Sequence, residues 1–145
     1  MNEKQRTVVV TGVSTGIGWG AAKVLTQAGY GVFGSVRNDA DGERLRSELG
    51  AKFTPLKFDV TDEKAVRAGA ATVRDALGGR KLMGLVNNAG ISVVGPLVHL
   101  PLDQFRTQLE VNLTGVVIAT QAFAPLLGVD EALKGAPGRI VNISS

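Results

Sequence analysis

Short apolar segments alternate with helical segments along the chain, and this alternation restricts the possible folds more than any other feature of the sequence. Strand-like runs occur at Thr7–Val10, Val32–Val36, Phe53–Phe58, Leu82–Val86 and Arg139–Ile143. Most of these runs are apolar at consecutive positions rather than at every second one, which is typical of parallel strands that are covered on both faces. The sequence therefore predicts an α/β domain with a doubly wound parallel sheet.

Helical segments separate these strands. Their apolar spacing or acidic first turns predict helices at Ile17–Ala28, Ala40–Leu49, Asp62–Leu77 and about Leu102–Leu127. The first three end at Gly29, Gly50 and Gly78, and glycine is the usual residue just beyond a helix C-terminus. The regular alternation, without a linker or a repeat, predicts that residues 1–145 form a single domain.

The composition excludes several classes of protein. The chain has 145 residues, 44% of them hydrophobic and 20% charged, which excludes disorder as the main state. It has no cysteine and one histidine, His99, so a disulfide scaffold, a thiolate zinc site and a multi-histidine metal site are excluded. The net charge is only +3, and basic and acidic residues are interspersed, so no nucleic-acid partner is expected.

The last predicted helix contains an uncharged run, 111–129, that is long enough to span a membrane. Asn112, Thr120, Gln121 and Pro125 interrupt its apolar character. We therefore expect a helix that is buried on both sides in a protein without a membrane span, located in the cytoplasm.

Small polar residues follow three of the predicted strands. Thr11-Gly12 follows the first strand, Asn87–Gly90 the fourth and Ser144-Ser145 the fifth. In parallel α/β sheets, ligands bind beyond the carboxyl ends of the strands, where the strand order reverses. The sequence therefore predicts that these three segments meet at one ligand site.

A glycine-rich loop joins the first strand to the first helix. Gly12 permits a tight turn, Gly16 allows the backbone to approach a pyrophosphate, and Gly18 allows the helix to pack closely on the strand. The remaining loop positions, whose backbone N–H groups face the phosphate, are Ser14, Thr15 and Ile17. The spacing is G-x-x-x-G-x-G rather than G-x-G-x-x-G, and no Gly-Lys-Ser/Thr follows, so a P-loop is not supported. The loop predicts a dinucleotide-phosphate site.

The residue after the second strand bears on the choice of dinucleotide. An acidic residue at this place accepts hydrogen bonds from the adenosine ribose and repels a 2′-phosphate. Here Val36 is followed by Arg37, whose guanidinium matches a phosphate. This favours NADP, with NAD as the alternative. Arg37 could instead be an ordinary surface arginine, because Asp39 and Asp41 are close enough in sequence to pair with it.

Several motifs together resemble the short-chain dehydrogenase/reductase family in its single-domain form. They occur in the family's order along the whole chain: Thr11–Gly18, Asp59-Val60, Asn87-Asn88-Ala89-Gly90, Val111-Asn112 and Arg139–Ser145. The resemblance implies a Rossmann-like sheet with strand order 3-2-1-4-5. It also implies an oxidoreductase that transfers a hydride between NADP or NAD and a small-molecule alcohol, ketone or aldehyde.

The resemblance assigns roles to individual residues. Asp59 and Val60 would hold the adenine ring, and Asn88, Ala89 and Gly90 would line the cofactor. Asp59 could alternatively cap the helix that starts near Asp62.

Two further residues would act in catalysis. Ser145, with Ser144 as the competing choice, would hydrogen-bond the substrate oxygen. At 100° per residue, Asn112 lies on the apolar stripe of its helix, which predicts a buried amide with a specific hydrogen-bond partner. Asn112 would either tie the helix to a neighbouring strand or position a water in a proton relay.

The sequence departs from the family pattern in one respect. The family's catalytic Tyr-x-x-x-Lys does not occur, and the single tyrosine, Tyr30, lies in a turn far from the predicted site. We therefore expect the N-terminal part of a longer oxidoreductase, inactive and poorly soluble alone. The alternative function is a non-catalytic dinucleotide-binding module. An epimerase or dehydratase is disfavoured, because its loop usually reads T-G-x-x-G-x-x-G. Apolar residues around the helix Leu102–Leu127 predict a homodimer or homotetramer.

Overall fold

The computed structural model describes residues 6–144, and its central element is a parallel sheet. The strands are β1 (Thr7–Val10), β2 (Gly31–Val36), β3 (Phe53–Lys57), β4 (Gly84–Asn87) and β5 (Arg139–Asn142). Their spatial order is β3-β2-β1-β4-β5, which confirms the predicted Rossmann-like fold. The strand order reverses between β1 and β4, so the predicted ligand position lies beyond the carboxyl ends of these two strands.

Three helices follow the first three strands. They are α1 (Gly16–Gln27), α2 (Asp39–Leu49) and α3 (Glu63–Leu77), each within one residue of its predicted bounds. The Asn38 side chain caps α2 by accepting a hydrogen bond from the Asp41 N–H at 2.8 Å. Asp62 caps α3 in the same way through the Ala65 N–H at 3.0 Å. The alternative role of Asp59 as this cap is therefore wrong.

Apolar residues cover both faces of the sheet. On one face, Ala22 of α1 and Leu45 of α2 are fully buried with Val10 of β1. On the other, Val73 of α3 and Phe123 of the last helix are fully buried. This two-sided cover explains why the strands are apolar at consecutive positions.

The last helix extends from Leu102 to Val129 and is not regular. It consists of α4 (Leu102–Leu109), a π-helical stretch, α5 (Gly115–Ala124) and a second π-helical stretch that contains Gly128 at φ +144°. By length and composition alone it could cross a membrane, although a core helix can meet the same criteria. Its α5 part packs against α3 and β4.

The prediction that this helix is buried on both sides is wrong. Only 28% of its most apolar stretch is buried. Phe123 points into the core, whereas Leu113 and Val117 remain 61% and 48% exposed. Apolar composition alone could not distinguish these two faces, because α3 and the sheet cover one side and no described residue covers the other.

β5 forms one edge of the sheet in the described residues. It pairs with β4, and Ile140 and Val141 are 42% and 49% exposed. An apolar edge strand presents unpaired backbone groups that favour further strand pairing.

The loop between β1 and α1 is held by contacts with the segment that follows β4. Gly12 has φ +70°, and a Cβ there would lie 2.8 Å from the Ala89 Cα. The Asn88 side chain donates from Nδ2 to the carbonyl oxygens of Thr11 at 3.1 Å and Gly12 at 2.9 Å. Gly18 leaves room for these bonds, because a Cβ at Gly18 would overlap both the Gly12 oxygen and Asn88 Nδ2.

The substitution Gly18→Ala tests this packing. The added methyl group would displace the Asn88 amide or the Gly12 carbonyl, so we expect the free energy of unfolding to fall by about 1–3 kcal/mol. Chemical denaturation measures the change. The matched control is Gly20→Ala, two residues along the same helix, where nothing lies within 4 Å of the added Cβ. Equal stabilities for the two variants would contradict the packing role of Gly18.

Candidate functional site

A cavity of about 350 Å³ lies at the carboxyl ends of the central strands. It is lined by Gly12, Ser14, Thr15, Gly16, Ile17, Ser35, Val36, Arg37, Phe58, Asp59, Val60, Asn88, Ala89, Gly90, Ile91 and Val111. The structure therefore brings every predicted cofactor-binding residue except Gly18 into one cavity. Gly18 is buried, and its lack of a side chain leaves room for the Gly12 carbonyl oxygen and the Asn88 amide.

The N-terminus of α1 opens into this cavity without a capping side chain. Its N-cap residue, Thr15, makes no side-chain cap hydrogen bond, in contrast to the caps of α2 and α3. The first N–H groups of a helix have no intrahelical partner and carry a partial positive charge. Gly16 has φ +64°, and no atom lies within 4 Å of the position of a Cβ, so its backbone is accessible. This end of α1 is therefore suited to bind an anionic group.

The Thr11 hydroxyl holds the two walls of the cavity together. Its Oγ1 accepts hydrogen bonds from the N–H groups of Asn88 and Ala89, both at 3.0 Å. Thr11 is buried, and the Asn88 side-chain amide donates two hydrogen bonds, to the carbonyl oxygens of Thr11 and Gly12. Asn88 therefore lines the cavity, but the hydrogen bonds of its side-chain NH₂ are already used within the protein.

Ser35 also supports the loop, and it was missed as a site residue by sequence reasoning. Its hydroxyl Oγ accepts a hydrogen bond from the Gly12 N–H at 2.8 Å. Ser35 is buried in β2 among apolar neighbours. A single polar residue in an otherwise apolar strand was the available signal. Three further lining residues were also not predicted: Val36, Phe58 and Val111.

Residues 58–60, which follow β3, line another part of the cavity with two apolar side chains and one carboxylate. Phe58 and Val60 are buried and Asp59 is half-buried between them. Asp59 Oδ1 accepts hydrogen bonds from the Thr61 N–H at 3.0 Å and the Thr61 hydroxyl at 2.8 Å, which fixes the carboxylate in a tight turn. A flat, apolar ring that carries a hydrogen-bond donor fits this chemistry.

Arg37 lies at the rim of the cavity with an exposed side chain. The two acids that could neutralise it have other partners: Asp39 pairs with Lys57 at 3.0 Å, and Asp41 pairs with Arg44 at 3.3 Å. Between residues 6 and 144, Arg37 forms no ion pair. Its guanidinium is therefore available to an anionic ligand at this rim.

Asn112 has a specific partner, as predicted, but the prediction that it is buried is wrong. Its side chain is exposed. Oδ1 accepts a hydrogen bond from the Ile91 N–H at 2.8 Å, and Nδ2 donates to the Ile91 oxygen at 2.7 Å. The helical angle places Asn112 on the same side as Phe105, and that side of the helix is itself uncovered, since Phe105 is 41% exposed. The amide thus ties the helix to the loop that follows β4 rather than to a strand.

The end of β5 is tied to β4 by side-chain amides. Asn87 donates from Nδ2 to Asn142 Oδ1 at 2.9 Å and to Thr120 Oγ1 at 3.2 Å. These bonds fix the start of the segment that leads to Ser144. Ser145 lies outside the described residues, so its predicted catalytic role stays a prediction.

Other residues considered in the sequence lie away from the cavity. His99 is exposed in a short 3₁₀ turn, Leu97–His99. Tyr30 lies 4.4 Å from the guanidinium of Arg6, beside the start of β1, at the opposite end of the sheet. In the described part of the chain, no group of three or more potential metal ligands occurs.

Comparison with known proteins places this geometry in a family. The chain is 39% identical over 140 residues to an NADPH-dependent 3-dehydrocapnine reductase of Ornithobacterium rhinotracheale, covering 97% of this chain and 49% of the reductase. It is 33% identical to a serine 3-dehydrogenase of Rhizobium radiobacter, covering 96% of this chain and 53% of the dehydrogenase. The chain thus spans about half the length of these relatives.

Solved structures agree with these sequence matches. A short-chain dehydrogenase from Streptomyces avermitilis superimposes with a TM-score of 0.87 at 29% identity, covering 99% of this chain and 50% of that one. A 3-ketoacyl-(acyl-carrier-protein) reductase from Brucella melitensis, complexed with NADH, gives a TM-score of 0.87 at 29% identity, covering 97% of this chain and 57% of that one. The family model described as short chain dehydrogenase matches residues 6–145. The chain belongs to the short-chain dehydrogenase family.

Proposed function

We propose that this chain forms the dinucleotide-binding part of an NADP-dependent oxidoreductase that interconverts an alcohol and a ketone or aldehyde. The observation that carries the proposal is one cavity lined both by the N-terminus of α1, which has no side-chain cap, and by Arg37, which has no acidic partner among residues 6–144. When bound, the cofactor supplies or accepts the hydride. The residues of this chain bind and orient it.

Each part of the cavity matches one part of the cofactor. The backbone N–H groups around Gly16 would bind the diphosphate. Phe58, Asp59 and Val60 would hold the adenine ring, because an apolar slot with a carboxylate suits a flat ring bearing an amino group. Arg37 would pair with the 2′-phosphate that distinguishes NADP from NAD.

The names of the related proteins include both NADPH and NADH, so the choice between NADP and NAD has to be argued from this chain's own residues. One relative is named as NADPH-dependent, and one neighbouring structure contains NADH. At the end of β2 this chain has Arg37 after Val36 and no carboxylate that could bind the ribose. The positive charge at this position favours NADP.

The substrate is proposed to bind beside the wall formed by Asn88, Ala89 and Gly90. Ser145 would donate a hydrogen bond to its oxygen. Asn112 would be a positioning residue. It hydrogen-bonds the backbone of Ile91, which lines the same cavity.

The first test compares cofactor affinities by fluorescence titration with NADPH and NADH. In the variant Arg37→Gln, we expect NADPH to bind about tenfold more weakly, because a charge-assisted hydrogen bond contributes about 1.5 kcal/mol. NADH, which lacks the 2′-phosphate, serves as the control and should change less than about twofold. Tighter binding of NADH than NADPH by the unsubstituted protein would overturn the NADP assignment.

The exposed side of the last helix supports a homodimer or homotetramer. Four large apolar residues on it are 41–65% exposed: Leu102, Phe105, Leu109 and Leu113. Their i, i+3, i+4 spacing places them along one side of the helix. A continuous exposed apolar patch of this kind is typical of protein–protein contacts.

The variant Leu113→Glu tests this contact. A carboxylate buried without a partner strongly opposes association, so we expect the sedimenting mass to fall to that of a smaller species. Analytical ultracentrifugation at micromolar concentration measures the mass. The control is Val24→Glu on α1, at a similarly exposed position (64%), which should leave the mass unchanged. An unsubstituted protein that sediments as a monomer would contradict the proposal.

A further inference from the structure

Arg44 of α2 reaches across to the glycine loop. Its Nη2 donates a hydrogen bond to the carbonyl oxygen of Ser14 at 2.7 Å, across 30 residues of sequence. The same guanidinium pairs with Asp41 at 3.3 Å and with Glu48 at 3.2 Å. Three acceptors therefore fix the orientation of this side chain. Arg44 is not among the residues that line the cavity, so it contacts the loop from outside the cavity.

Glu48 extends this contact to the first turn of α1. One carboxylate oxygen, Oε1, accepts from Arg44, and the other, Oε2, accepts from the indole N–H of Trp19 at 3.0 Å. We call this group the Arg44 clamp; it consists of Trp19, Arg44, Glu48 and the Ser14 carbonyl. It holds the chain on both sides of residues 15–18, which contain the start of α1.

The charges of the clamp remain present at neutral pH. The Trp19 indole, followed by Arg44, lowers the pKa of Glu48 through hydrogen bonds. Hydrogen bonds with Glu48 and Asp41 raise the pKa of Arg44. The ammonium of Lys23 lies 5.1 Å from the Trp19 ring. Together with its neighbours Lys23 and Asp41, the clamp has two positive and two negative charges, so it adds little net attraction for an anion.

The clamp instead fixes the direction in which the Ser14 carbonyl group points. A carbonyl oxygen carries partial negative charge and opposes a phosphate, whereas the N–H groups of the loop attract one. The hydrogen bond from Arg44 holds the Ser14 carbonyl oxygen against α2, where it would not face a bound phosphate. A loop that is already ordered also loses less entropy when a ligand binds.

We propose that Arg44 is a positioning residue that preorganises the glycine loop for the dinucleotide diphosphate. The inference rests on the proposed function. Because the diphosphate is common to both cofactors, loss of the clamp should weaken NADPH and NADH by the same factor. Loss of Arg37, in contrast, should weaken NADPH alone.

The test compares Arg44→Met with the matched control Arg46→Met. Arg46 lies on the same helix, and its ion pair is with Glu43 at 3.6 Å, away from the loop. We expect Arg44→Met to weaken both cofactors about three- to tenfold, as for a partly exposed charged pair, and Arg46→Met to change neither by more than about twofold. Titrations are made in the whole protein, well below the melting temperature of each variant. The conservative variant Arg44→Lys retains one donor to the Ser14 oxygen and should recover part of the affinity.

Trp19 provides a second readout in the absence of cofactor. It is the only tryptophan in the 145-residue sequence. Where other parts of the protein contain tryptophan, a Trp19→Phe protein gives the background. Release of Glu48 from Arg44 in Arg44→Met should increase acrylamide quenching of Trp19, and Arg46→Met should not.

The outcomes separate this inference from the proposed function. If the unsubstituted protein binds neither cofactor, the proposed function fails and the inference fails with it. If it binds both and Arg44→Met binds them like Arg46→Met, only the inference is overturned. A loss confined to NADPH would also overturn it, because Arg44 would then contact the 2′-phosphate directly.

Discussion

The buried hydroxyl of Thr11 and the amide of Asn88 join the ends of β1 and β4, and the candidate site depends on this link. Thr11 Oγ1 accepts two backbone N–H groups, and Asn88 Nδ2 donates to two carbonyl oxygens of the glycine loop. The four bonds connect segments about 77 residues apart in sequence. In a low-dielectric setting such paired polar groups are rigid, since leaving any of them unpaired is unfavourable. Without this link, the two walls of the cavity could move independently.

The same link explains why the loop can bind an anion. Carbonyl oxygens of Thr11 and Gly12 are bound to Asn88, and that of Ser14 is bound to Arg44. These three carbonyl oxygens are therefore occupied within the protein, while the donors at the start of α1 have no side-chain cap. These donors and the helix dipole would make this end of the cavity electrostatically favourable for an anion.

The regular parts of this fold follow from sequence periodicity, and the irregular parts do not. Helix bounds for α1, α2 and α3 were correct within one residue, because glycines and capping side chains mark their ends locally. The glycine loop was also predictable, since Gly12 and Gly16 occupy positive φ. The exposure of Asn112 was not, because an apolar side of a helix does not show by itself which element covers it, and the side that carries Phe105 is exposed. Ser35 and Arg44 were missed because their roles depend on contacts across 23 and 30 residues.

The roles proposed for Arg37 and Arg44, two arginines near the same loop, differ because their surroundings differ. Arg37 has no acidic partner among residues 6–144, so its full charge is available to a ligand at the rim. The charge of Arg44 is neutralised by Asp41 and Glu48, and its guanidinium is bound to the Ser14 carbonyl oxygen rather than available to a ligand. Selectivity for one dinucleotide requires an unbalanced charge beside the group that differs, whereas affinity for the shared diphosphate requires a fixed backbone. If the proposed roles hold, selectivity and affinity depend on different side chains, so a substitution could change one without loss of the other.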